Sequence, residues 1–410
     1  MAIVRPFAAL RPAKRYAEKV VSLPYDVMNR DEAVGQAKDN PYSFLHISRS
    51  EISFPPTKDP YHKDVYDQAK INLDNFVSDG VLIQDSTPCF YIYRQTMKGR
   101  IQTGIAACVS IDEYMQDKIK KHEFTRIEKE LDRINHFDVC NANTEPVFLT
   151  YRHNQNIQML IDSWIENSAP AYDFLTGDGV GHTLWVIDCG DAIQNLTDAF
   201  SQIPYLYIAD GHHRSASAVK VGMKQREDNP GYDGSEEFNF FMAVLFPDED
   251  LHIYDYNRVV KDLNKMDDDE FLSKLSKDFI VEQINDDSIR PNSRHVFSMY
   301  LNKTWYRLEA KECIISSHPI DGLDVSILQD RVLSPILGIQ DPRTDKRIDF
   351  VGGIRGLKEL EKRVDMDMSV AFALYPVTMD ELLAVSDQNE IMPPKSTWFE
   401  PKLGSGLFIH

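Results

Sequence analysis

The chain has 410 residues, of which 42% are hydrophobic, and this is long enough for two domains and a large core. Its net charge of −19 repels nucleic acid and anionic membranes, so an anion site requires locally clustered cations. We find no apolar stretch long enough to span a membrane and no apolar signal core at the start. The five cysteines have no metal-ligand spacing and are typical of reduced thiols, so we expect a cytoplasmic protein.

The first third of the chain contains one candidate catalytic carboxylate. Asp26 follows Pro24 and Tyr25 in a turn or at a strand end, where a carboxylate can accept a proton from a substrate hydroxyl. A turn aspartate of this kind is also a common structural residue. Apolar spacing further predicts a helix over 64–80 and strands over 89–95 and 101–111.

A helix predicted over residues 118–143 carries basic residues along one face. At about 100° per residue, that stripe consists of His122, Arg126, Lys129 and Arg133. The opposite face is apolar and is expected to contact the core through Phe124, Ile127, Leu131 and Ile134.

The stripe has two interpretations. It forms a cationic wall for a polyphosphate, or it is a solvated face whose cations pair with the flanking Glu123 and Glu130. In the first interpretation His122 takes part in catalysis, and Glu123 is a second candidate to accept the substrate proton.

The most informative segment joins a buried strand to a helix. The apolar run 206–209 ends at Asp210 and Gly211, and a helix is predicted from His212 to about residue 225. A glycine turn before a helix leaves backbone N–H groups free to bind an anion. Arg214 offers a planar fork for phosphate, and Asp210 can hold a metal ion or orient a histidine. His213 is a further candidate catalytic residue. The alternative is a solvated helix start with Asp210 as the N-cap.

The rest of the chain predicts a mixed α/β fold with two domains. Strands are predicted over 147–151, 183–188 and 239–246, a hairpin over 295–300 and 304–308, a helix over 325–337 and a strand over 369–375. We expect domains of residues 1–260 and 261–410. Lys395 and Lys402 lie in a stiff tail that is able to fold back over a site, although nothing local requires it.

Several common nucleotide, metal and hydrolase motifs are missing from the sequence. The chain has no Gly-x-x-x-x-Gly-Lys-Ser/Thr loop and no Gly-x-Gly-x-x-Gly turn. It also lacks His-Glu-x-x-His and Gly-x-Ser-x-Gly. A bound nucleotide must therefore be held by another architecture.

Over nearly its full length the chain resembles the bacterial family named domain of unknown function 1015. The matching stretches are Leu23–Val27, Asn40–His46, Tyr93–Gln95, Lys121–Arg126 with Lys129–Arg133, Ala209–Arg214 and Pro393–Thr397. The family name supplies no function.

The segment 209–214 also resembles the signature of the ParB and sulfiredoxin-like superfamily. Its members include a free serine kinase, a sulfinic-acid reductase that uses ATP, and partition proteins that bind DNA and CTP. The resemblance implies an α/β core of this type with additional N-terminal and C-terminal α/β elements. It implies a nucleotide site formed by Asp210, Gly211, His212, His213 and Arg214. A reductase is disfavoured because no cysteine lies inside the segment.

The sequence thus favours a small-molecule kinase that uses ATP or ADP with Mg²⁺, placed by Asp210, and phosphorylates a hydroxylated metabolite such as serine. The alternative is a non-catalytic nucleotide-sensing or DNA-binding regulator. The acidic charge ranks DNA binding low, because a DNA-binding protein should present a basic domain or recognition helix. The oligomeric state stays open.

Overall fold

The structure is a computed structural model that describes residues 2–284 and 289–410. The chain divides into two units, residues 1–251 with 401–410 and residues 252–400. The sequence-based division differs by placing the boundary at 260/261 and the entire C-terminus in the second domain. The last ten residues lie in the first unit because Ser405 and Ile409 form backbone hydrogen bonds with Ser22 and Leu10.

Strands and helices alternate along the first unit. Its described strands are β1 (Val4–Arg5), β2 (Leu10–Pro12), β3 (Leu82–Gln84), β4 (Phe90–Met97), β5 (Arg100–Ser110), β6 (Ile119–Lys120), β7 (Val147–Tyr151), β8 (Tyr172–Leu175), β9 (Gly181–Ile187), β10 (Leu206–Asp210) and β11 (Phe240–Pro247). Its described helices are α1 (Ala17–Val20), α2 (Arg30–Ala37), α3 (Leu45–Ser48), α4 (Lys63–Ser78), α5 (Ile111–Met115), α6 (Ile127–Cys140), α7 (Gln155–Asn167), α8 (Gly190–Phe200) and α9 (His212–Asp228).

One mixed sheet organises the first unit. Its strand order is β6-β10-β7-β11-β5-β4-β9-β8, and β1 pairs with β5. The apolar residues Leu206 to Ala209 of β10 are buried, as a strand covered on both faces requires. Because β6 is parallel to β10, the chain leaves both strands at the same end of the sheet. The segment after Lys120 therefore meets the segment after Asp210.

The core of the first unit combines strand and helix side chains. Apolar residues of the sheet pack against α7 and α8, and this cluster includes Ile105, Leu149, Ile208, Leu245, Ile157, Ile161, Leu196 and Phe200. The hydrophobic spacing on α7 and α8 accounts for this packing, since one face of each helix is apolar.

The second unit is built around an antiparallel sheet. Its described strands are β12 (Ile253–Tyr254), β13 (Tyr256–Val260), β14 (Phe279–Ile284), β15 (Val296–Leu301), β16 (Thr304–Ala310), β17 (Ile348–Gly352), β18 (Val370–Ala373) and β19 (Trp398–Phe399). Its described helices are α10 (Asp268–Leu275), α11 (Asp324–Leu328), α12 (Leu357–Met366) and α13 (Met379–Asp387). The sheet order is β14-β16-β15-β18-β13-β17.

The mixed α/β fold class is confirmed, and so are several predicted elements. Strand β7 has the predicted bounds, β10 and β11 lie within a residue of theirs, and β15 pairs with β16 as the predicted hairpin. The helix predicted over 325–337 is α-helical only in α11 and continues as a π-helical turn over Gln329–Leu333. In the part of the chain that is described, none of the helices is both long and apolar enough to cross a lipid bilayer.

The helix predicted over residues 118–143 is wrong in its first third. Residues 119–120 form β6, residues 121–126 are not helical, and α6 begins only at Ile127. The physical reason is tertiary pairing, because Ile119 and Lys120 lie opposite Leu206 and Tyr207 in the sheet. Helical periodicity alone does not reveal such a partner.

Candidate functional site

The turn between β10 and α9 is built around Gly211. Its φ of 94° lies in the left-handed region, and a Cβ there would lie 3.1 Å from Nε of Arg214. Glycine therefore lets the chain turn from the strand directly into α9. No side chain caps the start of this helix, so Asp210 is not an N-cap. The first turn of α9 keeps its backbone N–H groups at the end of the sheet.

Asp210 is held in its charged form by two cations. Its Oδ1 accepts a hydrogen bond from the backbone N–H of Gly211 at 2.8 Å, and its Oδ2 accepts one from Nζ of Lys402 at 2.9 Å. Burial acts to raise the pKa of this carboxyl, but attraction by Lys402 and Arg214 holds the pKa well below its usual range. Asp210 is therefore a fixed negative charge at the helix start.

Arg214 lies between the carboxylates of Asp26 and Asp210 and is buried. Its side chain is only 2% exposed, and its Nη1 donates a hydrogen bond to the carbonyl oxygen of Pro146 at 2.7 Å. Its Nη2 lies 3.9 Å from Oδ2 of Asp26 and 3.8 Å from Oδ1 of Asp210. The predicted phosphate fork is thus a buried positive charge that orients both carboxylates.

Buried contacts of Glu145 and Arg133 hold Tyr25, the residue before Asp26. The backbone N–H of Tyr25 and the hydroxyl of Ser405 each donate to Oε1 of Glu145 at 3.2 Å. Burial raises the pKa of Glu145, against the attraction of Arg214 and Arg133. The guanidinium of Arg133 lies 3.9 Å from the centre of the Tyr25 ring and bonds to its neighbour Asp132. These contacts fix the loop that carries Asp26.

Two buried histidines connect the β6 exit to α9. The rings of His122 and His212 meet edge to face, with their centres 4.5 Å apart. The backbone N–H of His122 donates to Nε2 of His212 at 3.3 Å. Burial lowers the pKa of His122 to about 4 and holds the pKa of His212 well below its ordinary value. Both rings are therefore neutral at pH 7, and they position the two segments.

Glu123 and His213 complete this connection closer to solvent. Oε2 of Glu123 lies 3.8 Å from Nδ1 of His212. Nε2 of His213 accepts a hydrogen bond from the backbone N–H of Arg126 at 2.9 Å, and burial lowers the pKa of His213. The segment 121–126 is consequently bonded to the start of α9 at two points.

The predicted basic stripe is not a continuous exposed ridge. His122 and Arg133 are buried, Arg126 is exposed, and the Nζ of Lys129 lies 3.4 Å from the Tyr61 hydroxyl. The expectation of one cationic wall is therefore wrong in geometry. Arg133 and His122 do reach the site region, but Arg126 and Lys129 belong to the outer surface.

The predicted core face of the same segment is also wrong. Phe124, Ile127 and Leu131 are exposed, and Ile134 is half-buried. The buried face of α6 is polar in its first half, where Glu130 contacts α9, and apolar only further on, at Phe137 and Cys140. The hydroxyl of Ser217 donates to the backbone oxygen of Glu130, and Lys220 pairs with the Glu130 carboxylate.

Lys402 is the residue of the site that the sequence did not assign. The Nε2 of Gln95 donates to the backbone oxygen of Lys402 at 2.7 Å, and the backbone N–H of Gly404 donates to the Tyr93 hydroxyl at 3.3 Å. These two hydrogen bonds hold the C-terminal segment against β4 and so place Lys402 beside Asp210. The stiff tail was expected to be able to fold back over a site, but nothing close to Lys402 in the sequence pairs it with Asp210.

The arrangement does not fit a magnesium ion bound by Asp210 alone. Both oxygens of Asp210 already accept hydrogen bonds, from Gly211 and Lys402. Throughout residues 2–284 and 289–410, no three His, Cys, Asp or Glu side chains converge as metal ligands. No chemical step is therefore assigned to a metal held there. A separate open depression of about 770 Å³ in the second unit contains none of the predicted site residues.

Comparisons with known proteins identify a family and some distant structural neighbours. The family model described as "Protein of unknown function (DUF1015)" matches residues 4–326. No curated protein matches the sequence. The solved structures that resemble the chain include a free serine kinase variant in complex with AMP, at 13% identity and a TM-score of 0.38, covering 74% of this chain and 92% of that one.

Two further neighbours are similarly distant in sequence. SbnI from Staphylococcus aureus with a C-terminal truncation is 12% identical with a TM-score of 0.39, covering 74% of this chain and 86% of that one. A conserved hypothetical protein from Pyrococcus furiosus is 16% identical with a TM-score of 0.35, covering 74% and 94%. TM-scores below 0.5 do not establish a common fold, so these neighbours carry no argument about activity.

Proposed function

The chain belongs to the DUF1015 family, whose description assigns no activity, and from that premise we propose that it is a nucleotide-dependent phosphotransferase. Its donor would be ATP or ADP, and its acceptor a small hydroxylated metabolite such as free serine. The observation that carries the proposal is the convergence of Asp26, Asp210, Arg214 and Lys402 at the uncapped start of α9. Phosphoryl transfer depends mainly on positioning and on neutralising charge, and these groups can do both.

The donor phosphates are assigned to the start of α9 and to Lys402. The helix has 17 residues, and its first N–H groups and dipole favour an anion. The side chain of Lys402 is 11% exposed, and its Nζ can exchange part of its contact with Asp210 for a phosphate oxygen. Arg214 adds a buried positive charge directly below. In a chain of net charge −19, these local positive charges are what permits an anion to approach.

The acceptor side is assigned to Asp26. Its side chain is partly exposed, and Nη2 of Arg214 lies 3.9 Å from its Oδ2, which orients the carboxylate. The acceptor hydroxyl oxygen forms a bond to the terminal phosphorus of the nucleotide. The bond from that phosphorus to the bridging oxygen breaks, and the shortened nucleotide leaves with the electron pair. The hydroxyl proton passes to Asp26. Glu123 is assigned instead to holding His212, which lies 3.8 Å away.

The test is phosphoryl transfer followed by phosphorus-31 NMR. ATP and ADP are each incubated with the protein and a panel of hydroxylated metabolites that includes serine, with and without Mg²⁺. We expect a new phosphomonoester signal together with loss of one phosphate from the nucleotide. Asp26→Asn should lower the rate by about 100-fold or more while nucleotide binding persists. Lys224→Met is the control, because Lys224 lies near the far end of α9 and pairs with Asp138.

The outcomes separate the proposal from its alternative. Nucleotide binding without transfer to any acceptor would contradict the kinase and favour a nucleotide-sensing regulator. Transfer that is unaffected by Asp26→Asn would remove Asp26 from the chemistry. Salt-dependent binding to random duplex DNA would favour the DNA-binding alternative.

A further inference from the structure

An apolar face is exposed beside the candidate site. Phe124, Ile127 and Leu131, here called the Phe124 face, are 70%, 75% and 52% exposed. They lie on the segment before α6 and on the first two turns of α6. A soluble protein normally turns such residues inward, and an exposed apolar group of this kind marks a binding surface.

The Phe124 face begins in a segment that is bonded to the start of α9. The neighbouring residue Glu123 lies 3.8 Å from His212, and the backbone N–H of Arg126 is bonded to His213. Consecutive Cα atoms are about 3.8 Å apart, so Phe124 lies within about 8 Å, along the chain, of a residue bonded to the helix start. The backbone of Phe124 is therefore close to the start of α9.

The size of the face favours a small planar occupant. The three side chains together expose roughly 350 Å² of apolar surface, whereas a stable protein interface needs about 800 Å² on each partner. A second copy of the chain is further disfavoured by a net charge of −19 on each molecule. A heteroaromatic ring, by contrast, covers an area similar to that of one phenylalanine.

We infer that the Phe124 face holds the base of the nucleotide, with the ring of Phe124 stacked on the base. This inference rests on the proposed function, because it places the base relative to phosphates bound at α9. Stacking uses the π-face that every base has, and it tolerates different bases. The exposed guanidinium of Arg126 lies on the same segment and can add a cation–π contact. The chain should therefore discriminate weakly between ATP, GTP and CTP.

The test compares nucleotides with inorganic tripolyphosphate by isothermal titration calorimetry. Wild type should bind ATP, GTP and CTP with dissociation constants within about tenfold of one another, and tripolyphosphate more weakly. Phe124→Ala should weaken ATP binding by at least about fivefold and leave tripolyphosphate binding unchanged. Phe124→Trp should restore ATP binding. Leu175→Ala is the matched control, because Leu175 is an exposed apolar residue on β8.

Each result has a distinct meaning. Equal loss of ATP and tripolyphosphate binding in Phe124→Ala would overturn stacking, since the substitution would then act through the loop. Unchanged ATP binding in that variant would overturn the inference and leave the phosphate site standing. No binding of either ligand by wild type would instead defeat the proposed function. Unfolding midpoints of the variants should equal that of wild type, because the altered side chains are exposed.

Discussion

Replacing Lys402 by methionine should destabilise the protein in a way that depends on pH. The substitution keeps the length of the side chain but removes the charge that bonds to Asp210 at 2.9 Å. The two side chains are 11% and 29% exposed, so the pair is largely shielded from solvent. A hydrogen bond between charged partners contributes about 1.5–3 kcal/mol, and we expect a loss in the free energy of unfolding of that size at pH 7.

The pH dependence follows from the depressed pKa of Asp210. A carboxyl with a lowered folded-state pKa adds stability above its unfolded pKa, about 3.9, and loses it as the pH falls toward the folded value. In Lys402→Met the folded pKa of Asp210 moves back toward 3.9, so the variant loses less stability on acidification than wild type does. The difference in the free energy of unfolding between the two proteins should therefore be smaller by about 1 kcal/mol at pH 3 than at pH 7.

Urea denaturation of both proteins at pH 7 and pH 3 measures this difference. Lys224→Met removes the same charge from an exposed pair between α9 and α6 and should change the free energy of unfolding much less than Lys402→Met at either pH. A Lys402→Met difference that is equal at pH 7 and pH 3 would refute the pairing with Asp210. So would a variant as stable as wild type at pH 7.

Three further substitutions test the framework of the site, all by urea denaturation. Gly211→Ala forces a side chain onto a φ of 94° and should cost about 1–3 kcal/mol, whereas Gly177→Ala has open space around it and should cost less than 1 kcal/mol. Gly404→Ala places a Cβ 2.6 Å from Val21 and should cost about 1–3 kcal/mol; no loss would show that the tail is loosely held. Between pH 7.5 and pH 5, the free energy of unfolding of wild type should fall by about 2 kcal/mol more than that of His122→Gln. The reason is that the unfolded histidine takes up a proton below pH 6.5, whereas buried His122, with a folded pKa of about 4, does not. Equal pH dependence of the two proteins would contradict this.

The local part of the site was predictable from the sequence. A buried apolar run, a glycine and a helix start follow one another within residues 206–228, so short-range rules suffice for β10, Gly211 and α9. The grouping of Asp210 with His212 and Arg214 follows from the same segment.

The orientation of α6 was not predictable by the same rules. Apolar residues at helical spacing normally face the core, and on this basis Phe124, Ile127 and Leu131 were expected to be buried. In the structure α6 turns its polar side toward α9, where Glu130 bonds to Ser217 and pairs with Lys220. Tertiary pairing of polar residues overrides the hydrophobic pattern here.

Long-range contacts account for the remaining differences. Lys402 and Asp210 are far apart in the sequence, and Glu145 meets Ser405 only through the folded C-terminal segment. Asp210 stands in a pattern that predicts a site, whereas Glu145 and Ser405 do not. The position of the C-terminal segment in the first unit also explains why the division at 260/261 differs from the structure.

The proposed function requires that phosphate is captured where Lys402 and Arg214 meet the start of α9. Isothermal titration of the full chain with ATP and with ADP, with and without Mg²⁺, is the decisive measurement. We expect saturable heat at one nucleotide per chain that is strongly reduced in Lys402→Met and retained in Lys224→Met. Absence of heat with both nucleotides in every condition, or equal binding by the two lysine variants, would show that phosphate is not held at this helix start.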